Sequence, residues 1–220
     1  MYTEPSDTDS SVLQLRVQIY SSDIKRWKLL SDVYPLYTYP SSFKDGVYVD
    51  GGIYFNSWYY FNSWYYFNLE QEKLQKLELL SSPPHDPDIE VRVRVNYFGE
   101  SRGHLHMVAV IRWETRLYLR IYELMSDRSG LVVMFQILIE ELHADFSRLS
   151  LRDRYCRFFE VLDVVRGEKE VDTFMVLKFP GEIRSFNLLE KSYKKVFNVP
   201  KRIDGQTFEA HRYIQTIGLF

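Results

Sequence analysis

The chain has 220 residues, 45% of them apolar, which is ample for a buried core and excludes disorder as a global description. With 28 Lys and Arg against 30 Asp and Glu, the net charge of -2 gives no bulk attraction to nucleic acid or anionic membrane. Aromatics reach 16%, which favours strands, and the single cysteine, Cys156, excludes an internal disulfide framework and any multi-cysteine zinc site and fits a reducing compartment.

Residues 1–12 carry no basic or apolar leader signal and read as a flexible segment before one domain over 13–220. Ile19-Tyr20 then leads through the polar turn Ser22–Lys25 to Trp27, seven positions after Tyr20. Gly46–Phe55 alternates around Asp50-Gly51-Gly52, a hairpin signal. A literal duplication follows: Tyr-Phe-Asn-Ser-Trp-Tyr fills 54–59 and again 60–65. Six is even, so a strand carrying the insertion keeps its in/out alternation, and the second copy reads as a surface hairpin extension. Its run of fifteen uncharged residues, 54–68, has the composition of an aggregation-prone edge.

Tyr66-Phe67 leads to Leu74, again seven positions after the aromatic. Leu69–Leu80 has helical propensity, but the repeat predicts a turn and an outer strand. Ser81–Asp88 is a breaker suited to an inter-blade connection. Tyr97–His106 turns near Ser101-Arg102-Gly103, and Ile121-Tyr122 gives a looser copy that needs two extra residues to reach Leu131. Leu131–Ile139, nine nearly apolar residues, is far too short to span a bilayer. Gln136–Leu149 reads as a short helix or an inter-blade loop. Met175–Phe186 turns at Pro180-Gly181, and Phe186 leads to Tyr193. The anchors Tyr20, Phe67, Tyr122 and Phe186 are 47, 55 and 64 residues apart. Propeller blades recur at about 40–50 residues, with loops taking up slack. The predicted fold is all-β, with about four blade-like units and an incomplete β-propeller.

Several motifs align with a known family. Asn96–His106 resembles the central signature of the plant F-box-associated domain, and Tyr122–Gly130 resembles its tyrosine-glutamate, then serine-glycine stretch. Val164–Lys169 and Phe179–Ile183 resemble its later blades; Ile19–Trp27 and Gly46–Gly51 resemble its earlier ones. The resemblance covers nearly everything from about residue 13 onward. It implies a kelch-like β-propeller that is not an enzyme and recruits a target protein to an SCF-type ubiquitin ligase, inside the cell, in cytoplasm or nucleus. The chain departs from the pattern at Leu131 and Phe55, where tryptophan is usual, and in the duplicated hexapeptide. No stretch resembles the helical F-box, so the expectation is an N-terminally truncated member that binds a target without binding the SCF adaptor. The alternatives are a propeller-fold hydrolase or glycan-binding protein, and a truncated product without retained function.

The residues that invite a chemical reading have plainer ones. His104 and His106, two apart on a strand, share a face and suit the start of a metal site, but no third ligand is visible, and a packed pair is the default. Cys156 reads as buried in a strand rather than reactive. Glu140 and Glu141, and Asp86 and Asp88, read as solvated charge rather than acid/base pairs. Arg92 and Arg94 alternate with Val91, Val93 and Val95 as the basic face of a strand, short of an RNA platform. The aromatic stretch 54–65 suits stacking on sugars or a peptide, or is a by-product of duplication. Nucleophile-elbow, phosphate-loop, dinucleotide and zinc-protease motifs are absent, so no catalytic, cofactor-binding or metal residue is expected; no cofactor, nucleic acid or membrane partner is expected, and the target-binding residues stay unassigned.

Overall fold

The computed structural model describes residues 2–5, 13–36, 46–56, 64–77, 92–113, 116–142 and 159–200. They form four antiparallel sheets, each a simple meander. The first holds β1 (Tyr2–Pro5), β2 (Leu13–Ser21) and β3 (Arg26–Leu36). The second holds β4 (Val47–Val49), β5 (Gly52–Asn56), β6 (Trp64–Asn68) and β7 (Lys73–Leu77). The third holds β8 (Arg92–Ser101), β9 (His104–Trp113), β10 (Arg116–Leu124) and β11 (Leu131–Leu138), and the short helix α1 (Ile139–Leu142) follows it. The fourth holds β12 (Glu160–Val165), β13 (Phe174–Phe179), β14 (Glu182–Asn187) and β15 (Tyr193–Asn198). The fold is all-β and propeller-like.

Turn chemistry explains the hairpins. Asp50-Gly51 and Arg102-Gly103 both take positive φ, 43° and 75°, then 54° and 78°. A two-residue turn of that kind matches the twist of its strands and favours glycine at the second place. A Cβ on Gly103 would meet nothing within 4 Å, so conformation rather than space selects glycine there. Pro180-Gly181 also turns a hairpin, but between the second and third strands of its sheet. In the fourth sheet the first-to-second connection is instead the longer segment 166–173, which includes a 3-10 turn at Glu170–Asp172.

The repeat holds at the turn joining the third and fourth strands, or the second and third strands of the shorter first sheet. Tyr20 pairs with Trp27, Phe67 with Leu74 and Phe186 with Tyr193. Lys25, Glu72, Arg128 and Lys191 are the left-handed residues of the four turns. Tyr122 is not the third anchor: it pairs with Val133, and Leu124 pairs with Leu131, seven positions on as in the other copies. β10 runs two residues further than the aromatic suggested, which removes the apparent two-residue insertion. Leu69–Leu77 forms a turn and the outer strand β7 despite its helical propensity; pairing with β6 and burial of Leu74 decide it.

Three apolar clusters join neighbouring sheets in order. Leu15, Val17 and Leu30 meet Tyr65, Phe67 and Leu74 between the first and second sheets. Tyr54, Trp64 and Tyr66 meet Leu105, Met107 and Leu124 between the second and third. Val108, Leu119 and Ile121 meet Val164, Met175 and Phe186 between the third and fourth. The inner strand β8 packs against both β4 and β12, as first strands do around a propeller axis. Among the described residues, no core cluster joins the fourth sheet back to the first.

Two expectations need correction. Tyr2–Pro5, in the segment read as flexible, pair with β2 as a strand. The second hexapeptide copy is not a surface extension at its end: Trp64 is 0% exposed and Tyr65 is buried, both in β6. The hydrophobic gain of an enclosed indole outweighs any preference for a loop. Residues 57–63, which hold the rest of the duplication, lie outside the described residues.

Candidate functional site

The first-to-second turns of the second and third sheets, the segment 166–173 and the anchor turns lie at one rim of the array. At that rim, between the third and fourth sheets, a cleft of about 170 Å³ opens. Its centre is Glu123, near the end of β10, whose side chain is 12% exposed. Register places His106 on β9 directly opposite Glu123. His104 Nδ1 lies 2.8 Å from Glu123 Oε1, and His106 Nε2 lies 3.3 Å from Oε2. From the fourth sheet, the Arg166 guanidinium donates to Oε2. Its backbone N–H donates to Ser101 Oγ at 2.9 Å, which fixes the loop that carries it. Tyr97 Oη donates to Asp163 Oδ1 at 2.8 Å across the same boundary.

Electrostatics follow from this packing. Burial favours the neutral form of Glu123, but the Arg166 hydrogen bond and the surrounding positive groups outweigh it and hold the carboxyl below its ordinary range. For His106, burial dominates the attraction of Glu123 and holds the imidazole below its ordinary value, so the ring is neutral at pH 7. With Nε2–H directed at Glu123, Nδ1 of the neutral ring is an acceptor, and it has no hydrogen-bond partner.

The boundary between the second and third sheets is built alike. Tyr54 and Tyr66 are directly paired, as His106 and Glu123 are, one sheet on. Arg128 of the third sheet lies 4.4 Å over the Tyr66 ring and donates through Nε to Tyr54 Oη at 2.9 Å. At both boundaries a guanidinium from the following sheet closes onto the paired residues of the preceding one.

His104 and His106 therefore do share a face, as their spacing predicts, and Glu123 brings them together. Among the described residues, no group of three or more His, Cys, Asp or Glu side chains is arranged to hold a metal ion. Glu140 and Glu141 lie on α1, and Glu141 pairs with Lys191 at 2.8 Å. Arg92 and Arg94 lie on β8, as the alternation predicts. Cys156, Asp86 and Asp88 lie outside the described residues. Sequence reasoning missed Glu123 and Arg166 as a site. Both stood inside recognised motifs, but only strand register puts Glu123 opposite His106.

The sequence comparison bears on this arrangement. F-box protein At5g07610 of Arabidopsis thaliana is 26% identical over 193 residues, covering 82% of this chain and 43% of that protein. The chain is similar to a plant F-box protein. It spans less than half the length of that relative. No family model matches the chain. Among solved structures, the extracellular domain of the one component system BT4673 from B. thetaiotaomicron aligns with a TM-score of 0.39 and 8% identity, over 86% of this chain and 21% of that one. At that score the likeness carries no argument. Among the described residues, no helix is long and apolar enough to cross a membrane.

Proposed function

We propose that this chain is a protein-interaction module of the ubiquitin-ligase type, one that recognises a target protein and performs no catalysis. The observation that carries the reading is the similarity to an F-box protein over 82% of the chain, in a region that folds as propeller-like sheets. The site chemistry supports it. A glycosidase-type general acid needs a proton to give, and Glu123 is kept ionised by Arg166. In F-box proteins the F-box itself docks on the adaptor, so these 220 residues are proposed to bind a target and not the adaptor.

Two assays test the reading. In a binding assay with purified SCF adaptor, the chain alone is expected to show no stoichiometric complex; direct one-to-one binding contradicts that part. Fused behind an F-box that docks on the adaptor, the chain is expected to direct ubiquitin onto a co-purifying plant protein. A fusion that assembles with the ligase yet modifies nothing beyond itself contradicts the target-recognition part.

A further inference from the structure

We propose that the cleft between the third and fourth sheets receives the side chain of a lysine or arginine from the partner protein. The inference rests on the protein-interaction reading and deepens it. At about 170 Å³ the cleft is smaller than the roughly 300–1,000 Å³ that holds a drug-sized ligand, and it suits a single side chain. Val164, Leu188 and Phe135 line it and provide apolar surface for an aliphatic stem. Glu168 and Glu170 line its mouth. Glu168 is tied to Arg102 at 3.3 Å in an exposed pair of little strength, and Glu170 is exposed.

A further observation points to a cationic donor. His106 lines the cleft with a side chain only 4% exposed, and its acceptor Nδ1 has no partner. A buried acceptor left without a donor is costly, and an ammonium or guanidinium carries only donors. A carboxylate ligand would face Glu168 and Glu170 at the entrance, and Arg166, the cation nearest to it, is already engaged by Glu123.

The test needs no knowledge of the partner. N-acetyl-arginine amide and N-acetyl-lysine amide are titrated into the full, isotope-labelled chain, with backbone amide shifts of Gly167, Thr173 and Leu188 as the readout. N-acetyl-citrulline amide, which keeps the shape and loses the charge, and N-acetyl-norleucine amide, which keeps only the stem, are the controls. Saturable shifts are expected with the two basic amides, at least about tenfold weaker with citrulline, and absent with norleucine. In the Glu168→Gln, Glu170→Gln chain, altered only at exposed positions, the basic amides should lose most of that advantage. Citrulline binding as well as arginine, or no shift at these amides with either basic probe, overturns the proposal. Either result leaves target recognition itself to stand or fall by the ubiquitination assay.

Discussion

Trp27 and Trp64 illustrate how position in the repeat, and not residue type, sets energetic weight. Trp64 is fully enclosed and meets Phe98 edge-on, with ring centroids 5.0 Å apart. Trp27 pairs with Tyr20 at 5.2 Å, yet it is 68% exposed and Tyr20 48%. In the other three sheets the anchor faces the preceding sheet and is buried there; before the first sheet none is described. Trp64→Ala is therefore expected to cost about 3–5 kcal/mol in urea unfolding, and Trp27→Ala no more than about 0.5 kcal/mol. Equal losses would contradict these placements. Acid stability follows from the same cleft. His106 folds with a lowered pKa, so the unfolded chain takes up the proton first. Stability is fully present above the ordinary imidazole value of about 6.5 and declines as pH falls from there to the lower folded value. Glu123 is also lowered when folded; its contribution is present above the ordinary carboxyl value of about 4.3 and is lost as pH falls through the lower folded value. Melting temperature should therefore drop in two steps, and His106→Gln should flatten the first. An unchanged profile in that variant would show that His106 does not titrate with unfolding.

At the level of strands and turns, the duplicated hexapeptide has a definite structural consequence. Seven residues, 57–63, separate β5 from β6, and Asn56 pairs with Trp64. Deleting 60–65 leaves an identical Trp-Tyr upstream, but only Ser57 would connect the two strands in the present register. A hairpin needs at least about two loop residues, so the tryptophan is pulled out of the core into the turn. The deletion is expected to lower the melting temperature by several degrees in calorimetry, whereas an unchanged or higher value would return the second copy to the surface. The anchor turns were legible because polar turn residues and a spacing of seven from anchor to partner recur in the sequence. So was β7, where the repeat outweighed the helical propensity of Leu69–Leu77. The Leu124 register was hidden by Tyr122: both lie on one face of β10, and nothing in the sequence says where the strand stops. The Glu123 and Arg166 pairing was hidden more deeply, because it depends on how two sheets pack across 43 residues of chain.

For the whole molecule, the packing is serial, each sheet buried on the next, and rim pairs reinforce each boundary. Lys28 reaches Glu72 between the first and second sheets, Arg128 reaches Tyr54 between the second and third, and Arg166 reaches Glu123 between the third and fourth. These pairs differ in weight. Lys28 and Glu72 are solvated, so their pair is worth under about 1 kcal/mol. Glu123 is nearly enclosed, and Glu123→Gln strands Arg166 beside a neutral amide; a loss on the order of 2 kcal/mol is expected. Hydrogen exchange should then quicken in β12 and 166–173 while β4–β7 keep their protection. Uniform loosening of all four sheets would contradict the serial picture.

Target recognition through the rim between the third and fourth sheets is tested most directly by affinity purification of the tagged chain from plant cells, beside a Glu168→Lys, Glu170→Lys variant of unchanged circular dichroism and melting temperature. The expected result is at least one protein enriched stoichiometrically with the native chain and lost from the charge-reversed one. The same proteins recovered equally by both chains, or none above background with the native chain, would contradict it.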